Sequence, residues 1–199
     1  MLVYYLRKFT LFTLITQGFS MRKTHLVAAL AMLAATSASA GQWEHSATYI
    51  NAQPKDADFH GSALLIGVGY NIPVGPHTSL TPELAFGKGV GSSTYKVDDT
   101  EFSATLGDVF AANVRVRIDM TEMFNLQFTP GLTYSELEAD AGMGGIKLVS
   151  DGEWDPSLGA GFGVKVNKNT ELSVNYSRIF GSDDTGDTDI FGAAVHYRF

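Results

Sequence analysis

The sequence predicts an all-β chain whose eight antiparallel strands, connected up and down, close into a transmembrane β-barrel. Three observations predict it. From residue 43 onward, bulky apolar side chains alternate with small or polar ones at period two, in eight separate runs. The connections between those runs are alternately short and long. No stretch beyond Ala40 holds eighteen consecutive apolar residues, so strands rather than a helix must do the crossing.

The first forty residues stand apart from that pattern. Met21, Arg22 and Lys23 open a segment with an apolar core at 26–35, and Ala38-Ser39-Ala40 offers a small-x-small cleavage site. That order is a secretory signal peptide over residues 21–40. Residues 1–20 form a second apolar stretch, expected to be a misassigned upstream start or an extended leader. Cleavage after Ala40 leaves a barrel domain over residues 41–199. Four of the fourteen basic residues (Arg7, Lys8, Arg22 and Lys23) and none of the 21 acidic ones precede Gly41, so the mature formal charge is −11. Such a charge argues against nucleic acid and against peripheral binding to anionic lipid. The absence of cysteine excludes a disulfide framework and a lipoprotein anchor.

The runs follow in order. In the first, residues 43–51, Trp43, Ala47 and Tyr49 oppose Glu44, Ser46 and Thr48. Leu64, Ile66, Val68, Tyr70 and Ile72 oppose Ala63, Gly67, Gly69 and Asn71. Leu80, Leu84 and Phe86 oppose Thr81, Glu83 and Gly87. Phe110, Ala112, Val114, Val116 and Ile118 oppose Ala111, Asn113, Arg115 and Arg117. Phe124, Leu126, Phe128, Leu132 and Tyr134 oppose Asn125, Gln127, Thr129, Gly131 and Thr133. Leu158, Ala160, Phe162, Val164 and Val166 oppose Gly159, Gly161, Gly163 and Lys165. Leu172, Val174 and Tyr176 oppose Glu171, Ser173 and Asn175. In the last, Phe191, Ala193, Val195, Tyr197 and Phe199 oppose Gly192, Ala194, His196 and Arg198. Residues 74–77, 119–123 and 167–170 are expected tight turns; 52–59, 88–101, 138–153 and 181–188 are expected long, polar, acidic loops. Short turns at one end and long loops at the other place both termini in the periplasm.

A water-soluble calyx would alternate too, with its apolar face inward. Here the opposite face carries glycine, serine, asparagine and seven charges: Glu44, Glu83, Arg115, Arg117, Lys165, Glu171 and Arg198. That composition suits the lumen of a narrow barrel, because a solvent-exposed strand face gains nothing from glycine. Aromatics gather near the run ends: Trp43, Phe124, Tyr197 and Phe199 at one, Phe86, Tyr134, Trp154, Phe180 and Phe191 at the other. Two such girdles match a lipid band.

The closing stretch (158–166, 171–176 and 191–199) resembles the small outer-membrane barrels: the OmpA transmembrane domain, OmpX, Ail and the opacity-type proteins. The resemblance covers residues 41–199 and rests on alternation. It implies a location in the outer membrane, contact with lipopolysaccharide, and adhesion or envelope integrity as the role. It also implies that Phe199, with Tyr197 and Val195 on the same face, is the C-terminal signal read by the barrel-assembly machinery. Because the chain stops at Phe199, no peptidoglycan-binding domain is expected.

Few residues suggest chemistry. The inward charges are expected to form a structural network, with Glu44 near Arg198, Lys165 near Glu171, and Glu83 beside Arg115 and Arg117; a narrow pore is the alternative. His60 and Ser62 share a face by parity and form the minimum pair for acyl transfer. A similar pair serves lipid A deacylases on small barrels, but on a late strand with a downstream acid, a placement absent here. Asp183, Asp184, Asp187 and Asp189 cluster in the last loop, where carboxylates could gather a cation, without the spacing of an EF-hand. Arg178 breaks the alternation, pointing toward lipid unless a bulge turns it inward or it snorkels to a lipid phosphate. His45, His77 and His196 lack metal-ligand spacing, no phosphate loop is present, and no cofactor is expected.

Overall fold

The computed structural model describes residues 41–55, 60–97, 100–141, 146–181 and 186–199. The expected leader, and Asp183 and Asp184 of the acidic cluster, lie outside the described residues. Among these residues nine strands follow in chain order: β1 (Gln42–Pro54), β2 (Gly61–Gly75), β3 (Thr78–Gly89), β4 (Ser93–Val97), β5 (Thr100–Asp119), β6 (Phe124–Ala141), β7 (Ile146–Lys165), β8 (Thr170–Ile179) and β9 (Thr188–Arg198). Every pairing is antiparallel. β1 closes on β9 from Glu44↔Arg198 to Pro54↔Thr188. β3 pairs directly with β5, from Thr78↔Ile118 to Lys88↔Asp108. The short β4 is therefore not part of the wall; it folds back on the far end of β5, Ser93↔Ala104 to Val97↔Thr100. The result is a closed eight-stranded barrel, with no helix among the described residues. Closure gives each wall strand two neighbours, as hydrocarbon requires, since it offers no hydrogen bond to a free edge.

Two connections differ from the expectation. Residues 88–101 and 138–153 were to be loops, yet β4 and the far ends of β5, β6 and β7 run through them. β5 and β7 have 20 residues each and β6 has 18, against 10 for β8 and 11 for β9. A tilted strand needs only about 9–11 residues to cross a bilayer. The excess lies beyond the lipid, where no face of the sheet has to be apolar, so period two fades while the hydrogen-bond ladder continues.

Inside the band the two faces have opposite chemistry. Trp43, Tyr49, Leu64, Ile66, Phe86, Phe128, Phe162, Leu172 and Phe191 are exposed, and Leu84 and Val174 are each 59% exposed. Their strand neighbours Glu44, Ser46, Thr81, Asn125, Gln127, Glu171, Ser173 and His196 are buried. Large apolar side chains outside and polar ones inside is the reverse of a soluble core, and only a hydrocarbon surround makes it stable. Ring contacts run around each rim. At the loop end Phe86 meets Phe110 at 6.3 Å, Phe110 meets Tyr134 at 5.9 Å, and Tyr134 meets Trp154 at 5.8 Å. At the turn end Trp43 meets Tyr70 at 5.2 Å and Phe124 meets Phe162 at 5.5 Å.

Local chemistry sets two of the turns. Thr121 Oγ1 accepts from the backbone N–H of Met123 and Phe124. Asn167 Oδ1 accepts from those of Asn169 and Thr170, an Asx-type turn. Glycine makes room inside. A Cβ on Gly163 would lie 2.5 Å from Asn125 Oδ1 and 2.7 Å from Gln127 Nε2, so the amides occupy space that the glycine leaves.

Candidate functional site

The lumen is built in two zones. Toward the turn end it holds a continuous ion-pair network. Glu44 of β1 accepts from Arg198 Nε at 2.6 Å and from Arg115 Nη2, and lies 3.2 Å from His196 Nδ1. Glu171 of β8 accepts from Arg198 Nη2 at 2.6 Å, Gln127 Nε2 at 2.6 Å and Arg117 Nη1 at 3.2 Å. Glu83 of β3 lies 3.5 Å from Arg115 Nη2 and accepts from Ser46 Oγ at 2.6 Å. Asp119 is 3.3 Å from Arg117 Nε and accepts from Lys165 Nζ at 2.7 Å. Four carboxylates thus face four permanent cations, and the contacts tie together strands on opposite walls. Glu44 and Glu171 are only 2% and 1% exposed, so each must be fully partnered to stay charged.

All seven sequence-selected charges face this lumen, but some of their partners differ from expectation. Lys165 is the register partner of Glu171, yet it bonds Asp119. Arg117 serves Glu171 and Asp119, which leaves Glu83 to Arg115. Asp119 and His196 were missed as members. Strand parity would have found both, because Asp119 extends the row Asn113, Arg115, Arg117 and His196 shares a face with Arg198.

The second zone was not anticipated. Toward the loop end Ile50, Ala52, Ala63, Leu65, Leu106, Val109, Ile179 and Ile190 are buried together as an apolar collar inside the barrel. A register shift in β5 between Leu106 and Val109 turns both of them inward despite opposite parity. The sequence did carry a signal. Tyr49-Ile50, Leu64-Leu65, Val109-Phe110, Ile179-Phe180 and Ile190-Phe191 are apolar pairs, each placing one bulky residue on either face.

The network contains an arrangement with catalytic distances. Ser173 Oγ is 2.9 Å from His196 Nε2, whose ring partner Nδ1 is 3.2 Å from Glu44, as in a nucleophile–base–acid relay. Glu44 is already held by two arginines, however, and the space before Ser173 is a cavity of about 110 Å³, well below the roughly 300 Å³ of a small-molecule site. Glu44, Glu83 and His196 also bring ligand atoms within 4.8 Å of one another. Arg115 contacts all three and supplies the positive charge that a metal ion would bring.

The remaining sites lie at the loop end or on the lipid face. Ser62 Oγ accepts from Tyr49 Oη at 2.9 Å and Asn51 Nδ2 at 3.2 Å, while the backbone carbonyl of His60 accepts from Ser93. No contact joins the His60 ring to Ser62 among the described residues, so the acyl-transfer pair is not assembled. Lipid A from cells making this protein is therefore expected to keep all its acyl chains by mass spectrometry, and loss of one would restore the enzymatic reading. Asp187 lies 3.6 Å from Lys55. Asp189 accepts from Arg178 Nε at 2.7 Å and from Tyr176 Oη at 2.8 Å. The register of β8 runs unbroken through Arg178. Its outward side chain is thus neutralised by Asp189, rather than turned inward by a bulge. Val195, Tyr197 and Phe199 are exposed on the lipid-facing side.

Comparison with known proteins gives a consistent result. A family model described as outer membrane protein beta-barrel domain matches residues 26–199. No curated protein sequence matches the chain. Among solved structures, the Neisserial surface protein A is similar, with 17% identity and a TM-score of 0.53, over 80% of this chain and 97% of that one. Ail, the attachment invasion locus protein of Yersinia pestis, solved with the heparin analogue sucrose octasulfate, has 10% identity and a TM-score of 0.52 over the same shares. The N-terminal β-barrel domain of Pseudomonas aeruginosa OprF has 12% identity and a TM-score of 0.50, over 80% of this chain and all of that one. At these identities the likeness is one of fold.

Proposed function

The chain belongs to the outer membrane protein β-barrel domain family, and on that premise we propose a non-enzymatic surface barrel whose loop end faces outside the cell and docks a partner there. Family membership places it in the outer membrane. Residues 21–40 then act as the export signal, the termini lie in the periplasm, and Val195, Tyr197 and Phe199 form the strand read by the barrel-assembly machinery. Lipopolysaccharide is the outer-leaflet lipid around the loop-end girdle.

The observation that carries this reading is the height of the wall on one side. Beyond the lipid, β4, β5, β6 and β7 continue as a four-stranded sheet, with Phe102↔Ala141 and Ala141↔Ile146 at its far end. β8 pairs β7 only as far as Ser157↔Ile179, so Ile146 to Asp155 has no strand on its second side among the described residues. An open edge standing in water is a template for strand addition and a platform for loops.

Charge narrows the kind of partner. Residues 52–59, 88–101, 138–153 and 181–188 hold twelve acidic and four basic residues. The Yersinia relative was solved with a sulfated sugar; this acidic end repels such a polyanion and favours a basic protein face, in an adhesive or envelope-stabilising role. The folded barrel should bind intact host cells or serum proteins in a salt-sensitive manner. It should lose that binding when residues 93–103 and 137–151 are replaced by short turns, while the barrel still folds, because shortened loops cost little closure entropy. Binding that survives both replacements overturns the reading.

A further inference from the structure

Between the ion-pair network and the apolar collar the lumen holds a cavity of about 110 Å³. Thr48, Asn113, Thr129, Thr133, Asn175 and Ser177 give part of its wall hydroxyl and amide groups. Arg115, Glu83 and His196 form its floor, and Ile50, Leu65, Val109, Ile179 and Ile190, with three alanines, make up its apolar side. A cavity of this size, with several hydroxyl and amide partners, has room for a few waters at about 30 Å³ each. The collar offers a water no hydrogen bond, and Ala52, Ala63 and Leu106 extend it beyond the cavity lining.

We propose that this cavity is an enclosed water chamber and that the collar is its seal toward the loop end, independent of the ion-pair network below. An ion or charged solute passes an apolar constriction only by shedding its hydration, so aliphatic side chains buried across the lumen from β1, β2, β5, β8 and β9 block passage without any charge. The polar floor cannot act in that way, because its groups replace hydration shells rather than strip them. The barrel is thus closed at two levels by two different physical means. This division of labour explains why bulky aliphatic residues occupy inward positions in β1, β2, β5, β8 and β9, positions that the network leaves empty.

The chain has no cysteine, so one introduced thiol reports without background. The test uses the folded barrel in detergent micelles with Thr133→Cys, a buried position lining the chamber, and cationic ethylammonium methanethiosulfonate as the probe. With the collar intact, modification should be about a hundredfold slower than at a Ser92→Cys reporter in the exposed loop-end connection. Adding Leu65→Ala and Ile190→Ala, which thins the collar and spares every ion pair, should raise the Thr133→Cys rate by at least about tenfold. If that double variant fails to fold, judged by its heat-dependent shift on electrophoresis, Val109→Ala alone should give an increase of the same sign. A Thr133→Cys thiol that reacts as fast as Ser92→Cys with the collar intact overturns the proposal. So does an unchanged rate in a folded collar variant.

Discussion

Replacing Arg115 with methionine should destabilise the folded barrel by about 3–5 kcal/mol, the usual consequence of leaving a buried charge without its partner. Arg115 contacts Glu44, Glu83 and His196 at once, from a side chain that is almost wholly enclosed. Methionine fills similar volume, leaves Glu83 without a cation and leaves Glu44 with Arg198 alone, in a lumen where water cannot fully solvate them. The measurement is the urea midpoint for unfolding from lipid vesicles, against Lys165→Met as the internal reference. Lys165 and Asp119 are each about a fifth exposed at the turn end. Water can therefore take over when that pair is broken, and the expected loss is no more than about 1 kcal/mol. Equal midpoints for the two variants would mean that the network is solvated throughout. The network need not raise net stability over an apolar lumen; its contacts across opposite walls fix which strands face each other and in what register.

The second large effect belongs to the outer face. Val174 lies in the middle of β8 and points into the lipid. Val174→Arg should cost about 2–4 kcal/mol in vesicles, because a guanidinium at mid-depth must drag water or headgroups inward. Val74, also outward but at the turn end of β2, should tolerate the same substitution at about 0–1 kcal/mol, since the charge there reaches the interface. A soluble barrel would show no such depth dependence. Both positions would then be solvent-exposed, and arginine would be neutral at each.

Much of this architecture was written in period two. Alternation located the eight wall strands because a lipid-spanning strand must be bulky on one side and compact on the other, and the charges of Glu44, Glu83, Arg115 and Arg198 fell on the compact side. Where the physical demand stops, so did the signal. The far ends of β5, β6 and β7 stand in water, where alternation is not required, and they passed for loops. The collar was obscured for the opposite reason. Ile50 and Leu65 satisfy no alternation rule, since both faces are bulky at that level, and the pairs they form with Tyr49 and Leu64 blur the period. Arg178 shows a third limit. Parity gave its direction, but its partner Asp189 lies on the next strand and becomes visible only once the register of β8 and β9 is set. Partner choice within the network was illegible in the same way, because Lys165 could reach Glu171 or Asp119 and only the packed lumen decides.

The chain contains two tryptophans, Trp43 at the turn-end girdle and Trp154 at the loop-end girdle, and both are exposed on the outer face. Quenching of their fluorescence by phospholipids brominated at known depths, in vesicles holding the folded protein, reads directly what surrounds the barrel. Strong quenching by bromines near the headgroups, weaker quenching by bromines near the chain ends, and protection from aqueous acrylamide are the expected results. Fluorescence indifferent to brominated lipid but freely quenched by acrylamide would mean that the bulky face meets water, and the barrel does not span a membrane.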